Sequence, residues 1–208
     1  VLFEDEDLLL VNKPSHLLSH PTDKVVDHTV LGVLRHSRKE LGKLHLLHRL
    51  DRETTGVLAL AKNAKAARAW TQQMESHHIQ KEYAALVRGL LRKREGRLDQ
   101  PIGKLGGEIR VKQWVNTPDA VEAVTDYRVV YEKKGLPTFS MVRAMPKTGR
   151  LHQIRVHFAA LGHPLLGDPL YTGDGELYIA MTKGKEQPGE REKLGFSRVA
   201  LHAAALTF

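Results

Sequence analysis

His48-Arg49-Leu50-Asp51-Arg52-Glu53-Thr54-Thr55-Gly56-Val57-Leu58-Ala59-Leu60-Ala61-Lys62-Asn63 is the stretch on which the chain is organised. It sets a carboxylate between two arginines, follows it with a β-branched turn closed by glycine, and ends in an apolar run that predicts a strand over 57–61. A carboxylate just ahead of a buried strand is held by scaffold rather than by a floppy loop. Arginine stays charged at any working pH, so Arg49 and Arg52 favour the ionised carboxylate at Asp51. An ionised, oriented carboxylate serves as nucleophile or base. A salt-bridged turn that merely starts a strand has the same residues, because ion pairs on loops are common and individually weak.

Outward from this stretch, Asn63 is a helix N-cap, and Ala67, Trp70, Met74 and His78 follow at three- and four-residue steps, a stripe that reads as core. Upstream, Phe3 to Val11 reads as acidic residues followed by the short buried strand Leu8-Leu9-Leu10-Val11, ended by the turn Asn12-Lys13-Pro14-Ser15. Residues 29–41 carry Val30, Leu31, Leu34 and Leu41 at helical spacing. Downstream, Lys81 to Arg88 is a strand stopped by Gly89, with Tyr83 half-buried in it. The basic, glycine-rich residues 92–118 read as a hairpin in which Ile109 to Val115 alternates apolar and basic faces. Strands over 124–131 and 139–144 flank the turn Lys133-Lys134-Gly135. Residues 183–198 have the composition of a mobile surface loop.

The second informative stretch runs from Lys147 to Pro164. Leu151, Ile154, Phe158 and Leu161 predict a helical apolar stripe closed by Gly162 at C′, with Arg155 on another face, pointing at a cleft. His152 and His157 diverge by ~140° on such a helix, which rejects a metal pair. Asp168, ahead of Pro169, reads as a turn former.

Composition bounds the rest. The 208 residues suffice for a sizeable core, and the absence of cysteine excludes disulfides and thiolate metal sites and fits a reducing, cytoplasmic setting. Thirty-two basic residues against 24 acidic ones give +8, which favours a polyanionic partner, nucleic acid before membrane. No apolar run approaches the ~20 residues that span a bilayer. The chain opens at Val1, which reads as native residues missing in front.

His48-Arg49-Leu50-Asp51-Arg52 with Thr54-Thr55-Gly56 resembles the catalytic motif of the RluA-type pseudouridine synthases, which isomerise uridine in RNA. The usual ending there is Thr-Ser-Gly, and Thr55 keeps the hydroxyl. Glu4 to Pro21, Lys81-Glu82-Tyr83, Gly149 to Tyr171 and Arg198 to Leu206 resemble the family's other motifs, in the same order. The resemblance implies that Asp51 is the catalytic aspartate, that Arg155 pairs with it, and that Tyr83 stacks on the target base. It also implies substrate contacts for His48, Arg49, Arg52, Thr54 and Leu201, with Arg49 filling the space of a flipped-out nucleotide. The implied architecture is α+β: a mixed, largely antiparallel bent sheet with flanking helices around a central cleft, as one catalytic domain over 1–208, trimmed at both ends and lacking the S4-like RNA-binding domain of many relatives. The expected partner is structured ribosomal or transfer RNA, the expected state a monomer, and the chemistry is expected to need no cofactor and no metal. Two rivals stand beside it. A glycosidase would want a second carboxylate facing Asp51, with Glu53 and Asp168 as the candidates. A non-catalytic RNA-binding module would use the basic surface and place no demand on Asp51.

Overall fold

The computed structural model describes residues 1–22 and 25–208. In chain order the strands and helices are β1 (Phe3–Glu4), β2 (Leu8–Lys13), α1 (Val30–Ser37), β3 (His45–Leu46), β4 (Thr55–Ala61), α2 (Ala64–Glu75) and β5 (Gln80–Arg88). Then follow β6 (Glu95–Leu98), β7 (Ile102–Lys104), β8 (Gln113–Val115), β9 (Thr125–Lys133), β10 (Phe139–Pro146), α3 (Gln153–Ala160), α4 (Glu176–Thr182) and β11 (Leu201–Thr207). The elements form two compact units, Val1–Lys81 with His202–Phe208, and Glu82–Leu201. The class is α+β with mostly antiparallel pairing, as the sequence implied. No helix among the described residues is long and apolar enough to cross a membrane.

In the first unit β4 is central, and Leu58, Ala59, Leu60 and Ala61 are fully buried. One edge pairs antiparallel with β2, from Leu8↔Ala61 to Lys13↔Gly56. The other edge is shared between β3, antiparallel at Leu60 and Ala61, and β11, parallel at Thr55 and Gly56. The glycine of the opening stretch follows from that parallel pairing. Gly56 has φ 110°, and a Cβ there would lie 2.1 Å from the Ala203 carbonyl oxygen, so no larger residue permits the two backbones to approach. Asn63 caps α2 as expected, its Oδ1 accepting from the Ala66 N–H at 2.9 Å, and Thr29 caps α1 by accepting from Gly32. Trp70 is buried against Ala59 and Ile79, which makes the α2 stripe core; His78 lies beyond the helix end.

In the second unit β5, β10, β9 and β6 pair antiparallel, with Tyr83 opposite Ala144. Helix α3 departs from the single apolar stripe expected of it. It lies between two hydrophobic clusters: Ile154 and Phe158 join Val87, Val129, Val142 and Leu201, while Val156 joins Ile102, Leu170 and Tyr171. Every residue from Gln153 to Phe158 is therefore buried, and Leu151 and Leu161 flank the helix, 46% and 42% exposed. Its end is as read: His163 N–H bonds Phe158 O and Gly162 N–H bonds Ala159 O, with Gly162 at φ 86°.

Two further expectations are corrected. The hairpin over 92–118 exists as β7–β8, but Ile109 to Lys112 form its turn instead of an alternating strand. Lys112 is 8% exposed and spends its Nζ on the Asp174 carbonyl at 2.8 Å, so this basic residue is structural. The segment 183–198 is not wholly a surface loop. A helical turn at Glu192–Leu194 buries Leu194, whose carbonyl accepts from the Gly167 N–H.

Candidate active site

Asp51 is half-buried at the head of a turn closed by the Thr54 N–H on its own carbonyl at 3.1 Å. Thr54 is buried, and β4 begins at the next residue, so the turn bearing Asp51 leads directly into the central strand of its unit. Arg49 and Arg52 are exposed; Arg52 donates from Nε to Glu53 at 3.3 Å. Thr55 Oγ1 lies 2.8 Å from His202 Nδ1, tying the motif to β11 through the hydroxyl that serine would also supply.

Lys13 is the residue of this site that the sequence reading passed over. Its side chain has no exposed surface, and Nζ donates to the carbonyls of Pro14, Leu17 and Arg52 at 2.9, 2.6 and 3.0 Å. All three ammonium protons are thereby used. Burial pulls its pKa down to about 8, and the Glu53 and Asp51 carboxylates oppose the drop, so the protonated form of Lys13 predominates beside the turn at neutral pH. A signal was present: Leu9, Val11 and Lys13 alternate along β2, which puts Lys13 on the buried face. Glu53, one of the two carboxylates considered as a partner for Asp51, instead accepts from Ser15 Oγ at 3.2 Å and contacts His16 Nδ1 at 3.0 Å.

His48 is a half-buried acceptor. Its Nε2 receives the Ala59 N–H at 3.1 Å and its ring stacks on Trp70 at 12° and 6.4 Å between centroids. Burial, with Lys81 nearby, lowers its pKa from 6.5 to about 4. The neutral ring is thus favoured in the fold, and its contribution is present above pH 6.5 and lost as pH falls toward 4. That lowering to about 4 corresponds to about 3 kcal/mol. His48→Phe, which keeps the stack and removes the titration, is expected to flatten the loss of unfolding free energy between pH 6.5 and 4 in urea titrations. An unchanged slope would assign the acid sensitivity elsewhere.

In the second unit, Arg155 and Asp168 form a buried bidentate pair, 6% and 0% exposed. Arg155 Nε meets Asp168 Oδ2 at 2.7 Å and Nη2 meets Oδ1 at 3.0 Å. Asp168 does make the turn read for it, accepting from the Leu170 and Tyr171 N–H groups at 3.0 and 3.2 Å. Its ion pair with Arg155 was not foreseen. The guanidinium also lies over the Tyr171 ring, 5.1 Å from its centroid. Tyr171 OH accepts from the Gln113 N–H and lies 2.9 Å from His152 Nδ1. His157 is fully buried between Thr125 Oγ1 and the Gln100 carbonyl, both at 3.0 Å, a structural placement. Tyr83 packs half-buried against the larger core cluster, to which Leu201 belongs.

A family model described as RNA pseudouridylate synthase matches residues 7–160. The chain belongs to this family. It is 35% identical over its whole length to ribosomal large subunit pseudouridine synthase D of Vibrio parahaemolyticus, covering 62% of that protein. It is 34% identical, again over its whole length, to tRNA pseudouridine synthase C of Haemophilus ducreyi, covering 84% of it. Among solved structures, human RNA pseudouridylate synthase domain containing 1 superposes with a TM-score of 0.76 at 28% identity, over 98% of this chain and 76% of the other. The chain spans 55%, 62% and 64% of the length of three of the curated relatives it matches.

Proposed function

We propose that this chain is an RNA pseudouridine synthase acting on uridine in ribosomal or transfer RNA, with Asp51 as the group that acts on the sugar. The observation that carries this reading is the placement of Asp51 on an anchored turn at the head of β4, beside the buried charge of Lys13, within a chain that matches the family over 7–160. The reaction breaks N1–C1′, turns the uracil and forms C5–C1′; the C5 hydrogen leaves as a proton and N1 gains one. A carboxylate serves by attacking C1′ or by taking the C2′ proton to give a glycal, and either route needs one carboxylate. Nothing is oxidised and no group is gained, so the reaction consumes no co-substrate.

Tyr83 offers a ring for stacking on the base, and its polar tip suits a pocket with one wet edge. Arg155 is the proposed partner of the catalytic carboxylate. Arg49 and Arg52, both exposed, are the proposed contacts to RNA. The glycosidase reading loses support because Asp168 is committed to Arg155 and Glu53 to Ser15 and His16.

The test uses ribosomal and transfer RNA transcripts labelled with tritium at uridine C5. Tritium is expected to pass to water while the RNA keeps its length and, apart from the exchanged label, its mass, and digestion is expected to yield a nucleoside isobaric with uridine. Free uracil with abasic sites would establish a glycosidase, and an unchanged nucleoside profile a binding module.

A further inference from the structure

The turn bearing Asp51 is fastened from outside by the segment from Lys13 to Ser19. Lys13 Nζ bonds the Arg52 carbonyl, and Ser15 Oγ bonds the Glu53 carbonyl at 3.3 Å as well as its carboxylate. His16 reaches the same carboxylate from a backbone at φ 64°, a region that non-glycine residues enter at a cost. Ser19 closes the segment. It is 2% exposed, donates Oγ–H to the Leu50 carbonyl at 2.8 Å and accepts the Leu50 N–H at 3.0 Å. Residues 50, 52 and 53 are each held in this way, and residue 51 lies between them.

We infer that Ser19 is a positioning residue for Asp51: by bonding both polar groups of the Leu50 backbone, it fixes the peptide from which the Asp51 side chain projects. This rests on Asp51 being the catalytic carboxylate. The bond to the Leu50 carbonyl holds the 50–51 peptide and the bond from the Leu50 N–H holds the 49–50 peptide before it, so the backbone is restrained on both sides of Leu50. Lys13 and Ser15 restrain the far side of the turn, and Ser19 holds its entry side. Misplacing a reacting group by about 1 Å costs on the order of a hundredfold in rate.

The chain contains a matched control. Ser140 is 0% exposed and likewise makes one donated and one accepted bond to backbone in the second unit, donating to Gly89 O at 3.0 Å and accepting from Leu91 N–H at 3.2 Å. Ser19→Ala and Ser140→Ala therefore delete the same chemistry at two places. Both are expected to lower the unfolding midpoint by similar amounts. Only Ser19→Ala is expected to lower the single-turnover rate of tritium release, by about tenfold to a hundredfold, with transcript affinity within about threefold of wild type. Ser19→Thr, which keeps the hydroxyl, is expected to recover most of the rate, and it serves as the reporter should the alanine variant not fold. Equal rates for Ser19→Ala and Ser140→Ala, or a threonine variant as slow as an Asp51→Asn protein, would overturn the inference. Full turnover by Asp51→Asn itself would instead remove the reading on which it rests, so the two failures are told apart in one experiment.

Discussion

Asp51→Asn is expected to lose pseudouridine formation by at least about a thousandfold, the scale seen when a group bonded to the reacting atoms is removed. Asparagine matches aspartate in shape, and the bond from the Thr54 N–H to the residue 51 carbonyl is made by backbone, so the turn persists in the variant. Lys13 keeps its three carbonyl acceptors and Glu53 its contacts with Ser15 and His16. The folded state and the affinity for RNA should therefore change little while the rate collapses. An amide neither attacks C1′ with useful strength nor takes a proton from C2′, so either route fails. Circular dichroism and filter binding report the unchanged quantities, and tritium release reports the changed one. Turnover within tenfold of wild type would take Asp51 out of the chemistry.

What was legible in the sequence was what depends on near neighbours along the chain. The Asn63 cap and the Gly162 helix end are local devices, each satisfied within a few residues, and the strand after Asp51 shows in its own apolar run although its ladder partners lie elsewhere in the chain. Gly56 was legible as a motif residue, but its reason, the Ala203 backbone on β11, lies far along the chain. The same holds for Lys13 with Arg52 and for Ser19 with Leu50. A serine or lysine in a turn carries no mark of what it will bond 31 or 39 residues later. Helix α3 misled for a different reason. A helix buried on two sides has no single apolar stripe, and its polar residues are buried by partners instead of facing water: Gln153 on Thr125 and Val124, Arg155 on Asp168, His157 on Gln100. The turn at Ile109–Lys112 looked like a strand because alternation over four residues also arises where one lysine is pinned to a carbonyl.

The buried pair in the second unit gives the largest expected loss of stability. Asp168 accepts from four donors, namely Arg155 Nε and Nη2 and the N–H groups of Leu170 and Tyr171. Asp168→Ala takes the acceptor from all four and breaks the buried pair, a change that costs about 3–5 kcal/mol. Arg155→Met removes the cation instead, yet leaves Asp168 with its two amide donors and fills the space with an unbranched side chain of related length. Asp168→Ala should therefore be the more destabilising of the two, although both break the same ion pair. Replacing both residues should not restore the wild-type value, because the Leu170 and Tyr171 amides would still lack their acceptor. Urea unfolding of the three variants measures this order directly. The activity of whatever folded fraction remains separates the residues again. Arg155→Met removes the proposed partner of Asp51, whereas Asp168→Asn, which keeps a carbonyl oxygen for the two amides and leaves Arg155 in place, should retain more tritium release than Arg155→Met at equal folded concentration. An Asp168→Ala protein within about 1 kcal/mol of wild type would show that the pair carries little of the unit's stability. An Arg155→Met protein as fast as Asp168→Asn would place Arg155 in the scaffold alone.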